Sequence, residues 1–190
     1  MSLKILFLSH KFYPDVGGIE VNSEILANAF HNAGHTVRLV TWSRESEDRK
    51  TFPFQVKRDP TVMSLIRDHV WADVVYENNP CLRLGWPSIF FHKPAVIALR
   101  TWVSRNDGTI KWQDKLKLRC LTRAKSVIAV SDSVRKKCWP AATVIGNPYR
   151  ADIFKVHVGI KRNSNFAFLG RLVSDKGADL AIQALHQLLI

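Results

Sequence analysis

The chain has 190 residues, 46% of them hydrophobic and 23% charged, a globular balance that excludes disordered and fibrous classes. Lys and Arg number 28 against 16 Asp and Glu, a net charge of +12. That excess favours a polyanionic partner (nucleic acid, an anionic membrane or a phosphorylated small molecule), with a merely basic solvated surface as the plainer alternative. No apolar run reaches the roughly 18 residues that cross a bilayer, and the opening run Ile5–Leu8 is too short for a signal-peptide core. Cys81, Cys120 and Cys138 are widely spaced, odd in number and without metal-ligand spacing, which points to thiols in a reducing compartment. The expected location is cytoplasmic.

In chain order the pattern is strand, then helix, repeated. Leu3–Leu8 is a continuous apolar run of the kind buried parallel strands have. A Gly-containing loop follows, and Ile19–Ala33 carries Val21, Ile25, Leu26, Ala29 and Phe30 as a helical stripe, closed by Gly34. Thr36–Thr41 reads as the second strand, Trp42–Lys50 as a solvated loop and Phe52–Val56 as a short strand. A helix is expected over Pro60–Val70, with Asp59 as cap and Pro60 in its first position. Ala72–Tyr76 and Ala95–Leu99 are two more buried strands, separated by an apolar segment, Leu82–Phe91, that Pro87 breaks.

Thr109–Arg123 reads as a helix with Trp112, Leu116 and Cys120 on one stripe and Lys111, Lys115, Lys117, Arg119 and Arg123 opposite. That stripe is expected to pack on the sheet; the alternative lays the helix on lipid headgroups. Val127–Val130 is a strand, Ser131 a cap for the next helix, and Thr143–Ile145 a short strand before the turn at Gly146-Asn147-Pro148. Tyr149–Asn163 lacks periodicity and reads as a connector. The alternation argues an α/β, Rossmann-like doubly wound parallel sheet.

Two places suggest ligand chemistry. The loop Phe12-Tyr-Pro-Asp-Val-Gly-Gly-Ile-Glu20 lies where such sheets bind ligands, and Gly17-Gly18 allow close backbone approach; a simple tight turn is the plainer reading. Neither a dinucleotide fingerprint nor a Walker motif is present. Near the end, an apolar strand, Phe166–Leu169, runs into Gly170-Arg171, a polar turn and Lys176-Gly177 opening a helix. Free amides, the helix dipole and two cations would converge there on an anion.

Taken together, Phe-x-Pro-x-x-Gly-Gly-x-Glu at residues 12–20, Val130-Ser131, Asn147 ahead of Asp152-x-Phe154, and Gly-Arg-x-x-x-x-Lys-Gly at 170–177 resemble the family 4 (group 1) glycosyltransferases, in order and spacing over nearly the whole chain. The resemblance implies half of a GT-B fold: residues 1–160 as the acceptor-side domain and 161–190 as the first strand and helix of a truncated donor-binding domain. It implies that Arg171 and Lys176 meet the donor diphosphate, that Gly17, Gly18 and Glu20 form a substrate loop, and that Asn78, Arg100, Ser131 and Asn147 are candidate substrate contacts. Ser131 is also explained by helix capping alone.

The implied activity is retaining transfer of a sugar from a UDP-, GDP- or ADP-sugar, with no cofactor and no metal, to a glycan or lipid-linked acceptor. The enzyme would be cytoplasmic and peripheral at the inner face of an anionic membrane. The sequence also departs from the family. Arg100-Thr101-Trp102 and Glu77-Asn78-Asn79 stand where relatives carry histidines, and arginine, always protonated, cannot serve as a base. The family's paired glutamates do not occur in these 190 residues, so the catalytic residues are unknown and the chain alone is expected to be inactive. A non-catalytic basic module, either transferase-like or nucleic-acid-binding, is the alternative. The seven histidines, His157 among them, suggest no ligand cluster. The last helix, with Leu180, Ala181, Ala184, Leu185, Leu188 and Leu189 on its inner side, is expected to self-associate or to dock on the first domain.

Overall fold

A computed structural model describes residues 1–45, 50–103, 109–156, 158–159, 165–170, 172–173 and 176–188. The chain forms two compact units, Met1–Phe154 and Lys155–Ile190. The first is built on β1 (Lys4–Leu8), β2 (Thr36–Thr41), β3 (Gln55–Arg58), β4 (Val74–Asn78), β5 (Ala95–Leu99), β6 (Ser126–Ala129) and β7 (Thr143–Val144). All pair in parallel, in the order β3-β2-β1-β4-β5-β6-β7. The connecting helices are α1 (Gly18–Asn32), α2 (Val62–Trp71), α3 (Leu82–Gly85), α4 (Ser88–Phe91), α5 (Trp112–Leu121) and α6 (Asp132–Cys138). This is the doubly wound, Rossmann-like α/β sheet that the alternation predicts.

Successive residues of the central strands point to opposite faces, and both faces are covered. From β1, Ile5 and Phe7 join one cluster with Ala27 of α1 and Tyr76 of β4, whereas Leu6 and Leu8 join another with Leu65 of α2 and Val75. Phe7 is fully buried and its ring lies 5.0 Å from Tyr76 and 6.2 Å from Phe30. A third cluster gathers Ile97 and Leu99 of β5 with Leu121 of α5 and Val134 of α6.

Four expectations need correction. The helix predicted from Pro60 starts at Val62, and Thr61 is its cap, accepting from the Ser64 N–H at 3.2 Å; Asp59 has φ 43° and turns the chain instead. The strand placed at Phe52–Val56 begins at Gln55, because Phe52 and Phe54 are drawn into a ring cluster with Phe12. Helix α5 buries Asp114 and Leu121 rather than the Trp112–Leu116 stripe, and Trp112 is 70% exposed. Its N-terminus explains the choice: the Asp114 carboxylate turns back to accept from the Lys111 N–H at 3.1 Å, a cap that faces that side of the helix inward.

The fourth correction lies in the second unit. Residues 165–169 form no strand, since a strand is defined by a neighbour to pair with and no other described segment of this unit is one. Helix α7 (Ala178–Leu188) does form, but it buries no residue, and Leu180, Ile182 and Leu188 are 64%, 70% and 73% exposed. Arg171, His157 and Leu189, and part of the loop expected over Trp42–Lys50, lie outside the described residues.

Candidate functional site

The strand order reverses direction between β1 and β4: from β1 the chain runs outward through β2 to β3, then returns to β4 on the other side. The crevice beyond the carboxyl ends at such a switch point is where open α/β sheets take ligands. A depression of about 420 Å³ lies there, lined by residues of the loop after β1 (His10, Lys11), the start of α1 (Ile19, Glu20), the end of β4 and the turn after it, and Lys117 of α5.

The loop after β1 is fixed by the fold. Phe12 is fully buried, its N–H donates to Ser43 Oγ at 2.8 Å, and Arg58 donates to the Tyr13 carbonyl at 2.6 Å. The Ser43 hydroxyl donates to the Asp15 carboxylate, which holds that carboxyl below its usual range. The Tyr13–Pro14 bond is cis. Glu20 folds over the glycine pair: a Cβ at Gly17 would lie 2.4 Å from its Oε2, whereas one at Gly18 would meet open space. The close approach at Gly17 is thus made by the end of this chain's own glutamate side chain.

Three residues expected from the sequence meet in one network. Arg100, just after β5, donates to Asn78 Oδ1 at 2.8 Å, to Asn147 Oδ1 at 3.1 Å and to the Tyr76 hydroxyl at 3.0 Å. Asn147 Oδ1 also accepts from Asn22 of α1 at 2.8 Å. Asn78 is fully buried and donates to Ser23 Oγ at 2.7 Å and to the Ile19 carbonyl at 3.3 Å; Ser9 and Ser23 share a further bond at 2.8 Å. Asn78 borders the depression with its amide already engaged. Arg100, half-buried, is a tie that fastens β4, β5 and the turn after β7. Ser131 caps α6, accepting from the Val134 N–H at 3.3 Å. Lys176 lies in the second unit, next to Gly177 at φ 68°.

Sequence reasoning missed Tyr76, Asn22, Ser23 and Ser9 as partners of these residues, and it missed His10. His10 follows directly on β1 and lines the depression. Burial chiefly, then the neighbouring charges of Arg83, Lys11 and Lys117, push its pKa below the usual imidazole value, which favours a neutral ring with both an acceptor and a donor nitrogen. Its place immediately after the first strand was the available signal. With Lys11, Arg83 and Lys117 on the lining, the depression presents a positive potential suited to an anionic ligand. Among the described residues no group of three or more His, Cys, Asp or Glu could hold a metal ion.

The chain matches no protein-family model and no curated protein sequence. Solved structures do resemble it. HepE from Anabaena, in a complex with UDP-glucose, superposes with a TM-score of 0.65 at 18% identity, over 82% of this chain and 47% of that one. Sucrose-phosphate synthase from Thermosynechococcus elongatus gives 0.54 at 14% identity, over 75% of this chain and 47% of that one. The fold is a Rossmann-like parallel α/β fold that matches GT-B glycosyltransferase structures over about half of their length. At these identities the fold is what is shared, and the chain spans about half the length of the structures it matches. Within this fold, the β1/β4 switch point carries the basic depression just described.

Proposed function

We propose that this chain supplies the acceptor side, residues 1–160, of a family 4 glycosyltransferase, together with the opening of its donor side at 161–190. The enzyme would transfer a sugar from a UDP-, GDP- or ADP-sugar with retention. The observation that carries the reading is the basic depression at the switch point of a fold shared with a protein solved with UDP-glucose. Departure of a nucleoside diphosphate builds negative charge, and positioned cations stabilise it; on this reading Arg171 and Lys176 do so from the donor side, while Glu20 and the Gly17-Gly18 turn shape the acceptor side. Arg100 and Asn147 act by holding that floor together. His10, at the rim, takes the position of a hydrogen-bonding group toward the acceptor hydroxyl.

A peripheral place at an anionic membrane agrees with the exposed face of α5. Ile110, Trp112 and Leu116 are 51%, 70% and 39% exposed, beside Lys111, Lys115 and Arg119, an apolar stripe flanked by cations. Among the described residues, no helix is long and apolar enough to cross a membrane.

The test is a titration of the chain with UDP-glucose, GDP-mannose and ADP-glucose, and separately with short single- and double-stranded DNA. Saturable binding of one donor, displaced by its free nucleoside diphosphate and weakened by Lys176→Ala, is the expected outcome. Absence of donor binding with steeply salt-dependent DNA binding would replace this reading by the nucleic-acid module.

A further inference from the structure

A second cavity, of about 350 Å³, adjoins the depression and shares Pro80, Cys81, Leu82 and Lys117 with it. Its walls are apolar, from Leu82, Trp86, Ile89 and Ile97, and one acidic group, Glu77, is set among them. Glu77 is only 7% exposed, and its carboxylate accepts one long bond, 3.4 Å, from the Cys81 N–H. Buried polar groups are ordinarily satisfied, and those that are not point to a missing partner. Half-buried Lys93 and Lys117 and exposed Arg123 also line the cavity; Lys93 donates to the Val70 carbonyl at 3.2 Å and Lys117 pairs with Asp114 at 3.6 Å, so the lining combines apolar walls, one buried acid and three cations.

We infer that this cavity binds an amphiphilic anion: an apolar body along the walls, a hydroxyl at its inner end against Glu77, and a phosphate among Lys93, Lys117 and Arg123. The size suits a small ligand rather than a long chain. Lys117 lines both spaces, so the phosphate sits at their junction and whatever it carries extends into the switch-point depression. Taken with the transfer reading, on which this step rests, the occupant is the acceptor, held by its apolar part while its reacting end lies in the depression. Burial holds the Glu77 carboxyl up to about 7, so near neutrality it offers a proton as well as lone pairs to a hydroxyl.

The cysteines supply the test. Cys81 and Cys120 line the cavity, whereas Cys138 does not and its Sγ accepts from the Val103 N–H at 3.4 Å, and all three are free. The full chain is labelled with an uncharged maleimide, with and without 8-hydroxyoctyl phosphate, and each cysteine is followed by mass spectrometry. At ten times the dissociation constant, labelling of Cys81 and Cys120 is expected to slow about tenfold, with Cys138 unchanged. From butyl to hexyl phosphate the half-saturating concentration is expected to fall about fourfold per methylene, and 8-hydroxyoctyl phosphate is expected to bind at least as tightly as octyl phosphate. Cys120→Phe, which fills the cavity, should abolish protection of Cys81. Equal protection of all three cysteines, indifference to chain length, or equal protection by inorganic phosphate would overturn the proposal. No donor enters the experiment, so its failure is distinct from failure of the transfer reading.

Discussion

The two units contain the same kind of sequence, an apolar run, a polar turn and an amphipathic helix, and treat it differently. At β1 and α1 the run Lys4–Leu8 pairs with strands on both sides and its helix contributes Ala27, Asn22 and Ser23 to the interior. In the second unit the run Phe166–Leu169 forms no strand and the helix Ala178–Leu188 buries nothing. Local pattern is enough to make the helix; a strand requires neighbours, and burial requires a sheet to pack on. Stability should therefore be concentrated in the first unit.

The sharpest way to break that contrast is to hollow the first unit. Phe7→Ala removes a fully buried ring that touches Phe30 and Tyr76, and a loss of about 3–5 kcal/mol is expected in chemical denaturation. A loss below about 1 kcal/mol would mean that the sheet centre is not where stability lies.

Glu77 gives the next largest effect and depends on pH. Burial raises its carboxyl from the ordinary 4.5 to about 7 in the folded chain, so the folded state keeps a proton that the unfolded chain releases. Stability accordingly declines as pH rises from the unfolded value to about 7 and is level above it. From pH 4 to pH 8, Glu77→Gln is expected to gain roughly 3 kcal/mol relative to the parent chain. Parallel pH profiles for the two chains would refute the burial of an ionisable carboxyl.

Arg100→Ala should cost about 2 kcal/mol, because it leaves Asn78 and Tyr76 without their charged donor. In a double-mutant cycle with Asn147→Ala, measured by denaturation, the two losses should fall short of adding. Strict additivity would mean that the arginine does not fasten the turn after β7. The smallest effect belongs to the second unit: Leu180→Asp with Leu188→Asp should move the main unfolding transition by less than about 0.5 kcal/mol. The same pair should abolish any self-association seen in sedimentation; an oligomer that persists would place the contact elsewhere.

Much of the fold could be read from the alternation of buried runs and periodic stripes, and Ser131 and the break at Pro87 fall where the chain chemistry puts them. Two of the errors share a cause. Thr61 against Asp59, and Asp114 against Trp112, were decided by which side chain reached a free amide, a matter of a few ångströms that composition does not encode. The site was legible as residue types but not as roles. Asn78, Arg100 and Asn147 were picked out as contacts for something outside; brought together, their polar atoms largely engage one another. His10 was grouped with the other histidines and given no role, because a single histidine carries meaning only when its position at a switch point is known.

Gly85 has a consequence for inheritance. A methyl group at that position would fall 2.4 Å from Glu77 Oε1, although the helical backbone there suits any residue. The two positions therefore carry one specification written in two places. A descendant of this sequence that gained a side chain at 85 would have to shorten residue 77 or swing its carboxyl into the adjoining space. The absent atom at 85 thus leaves room for the acid where it stands, and a change at 85 moves the carboxyl or removes it.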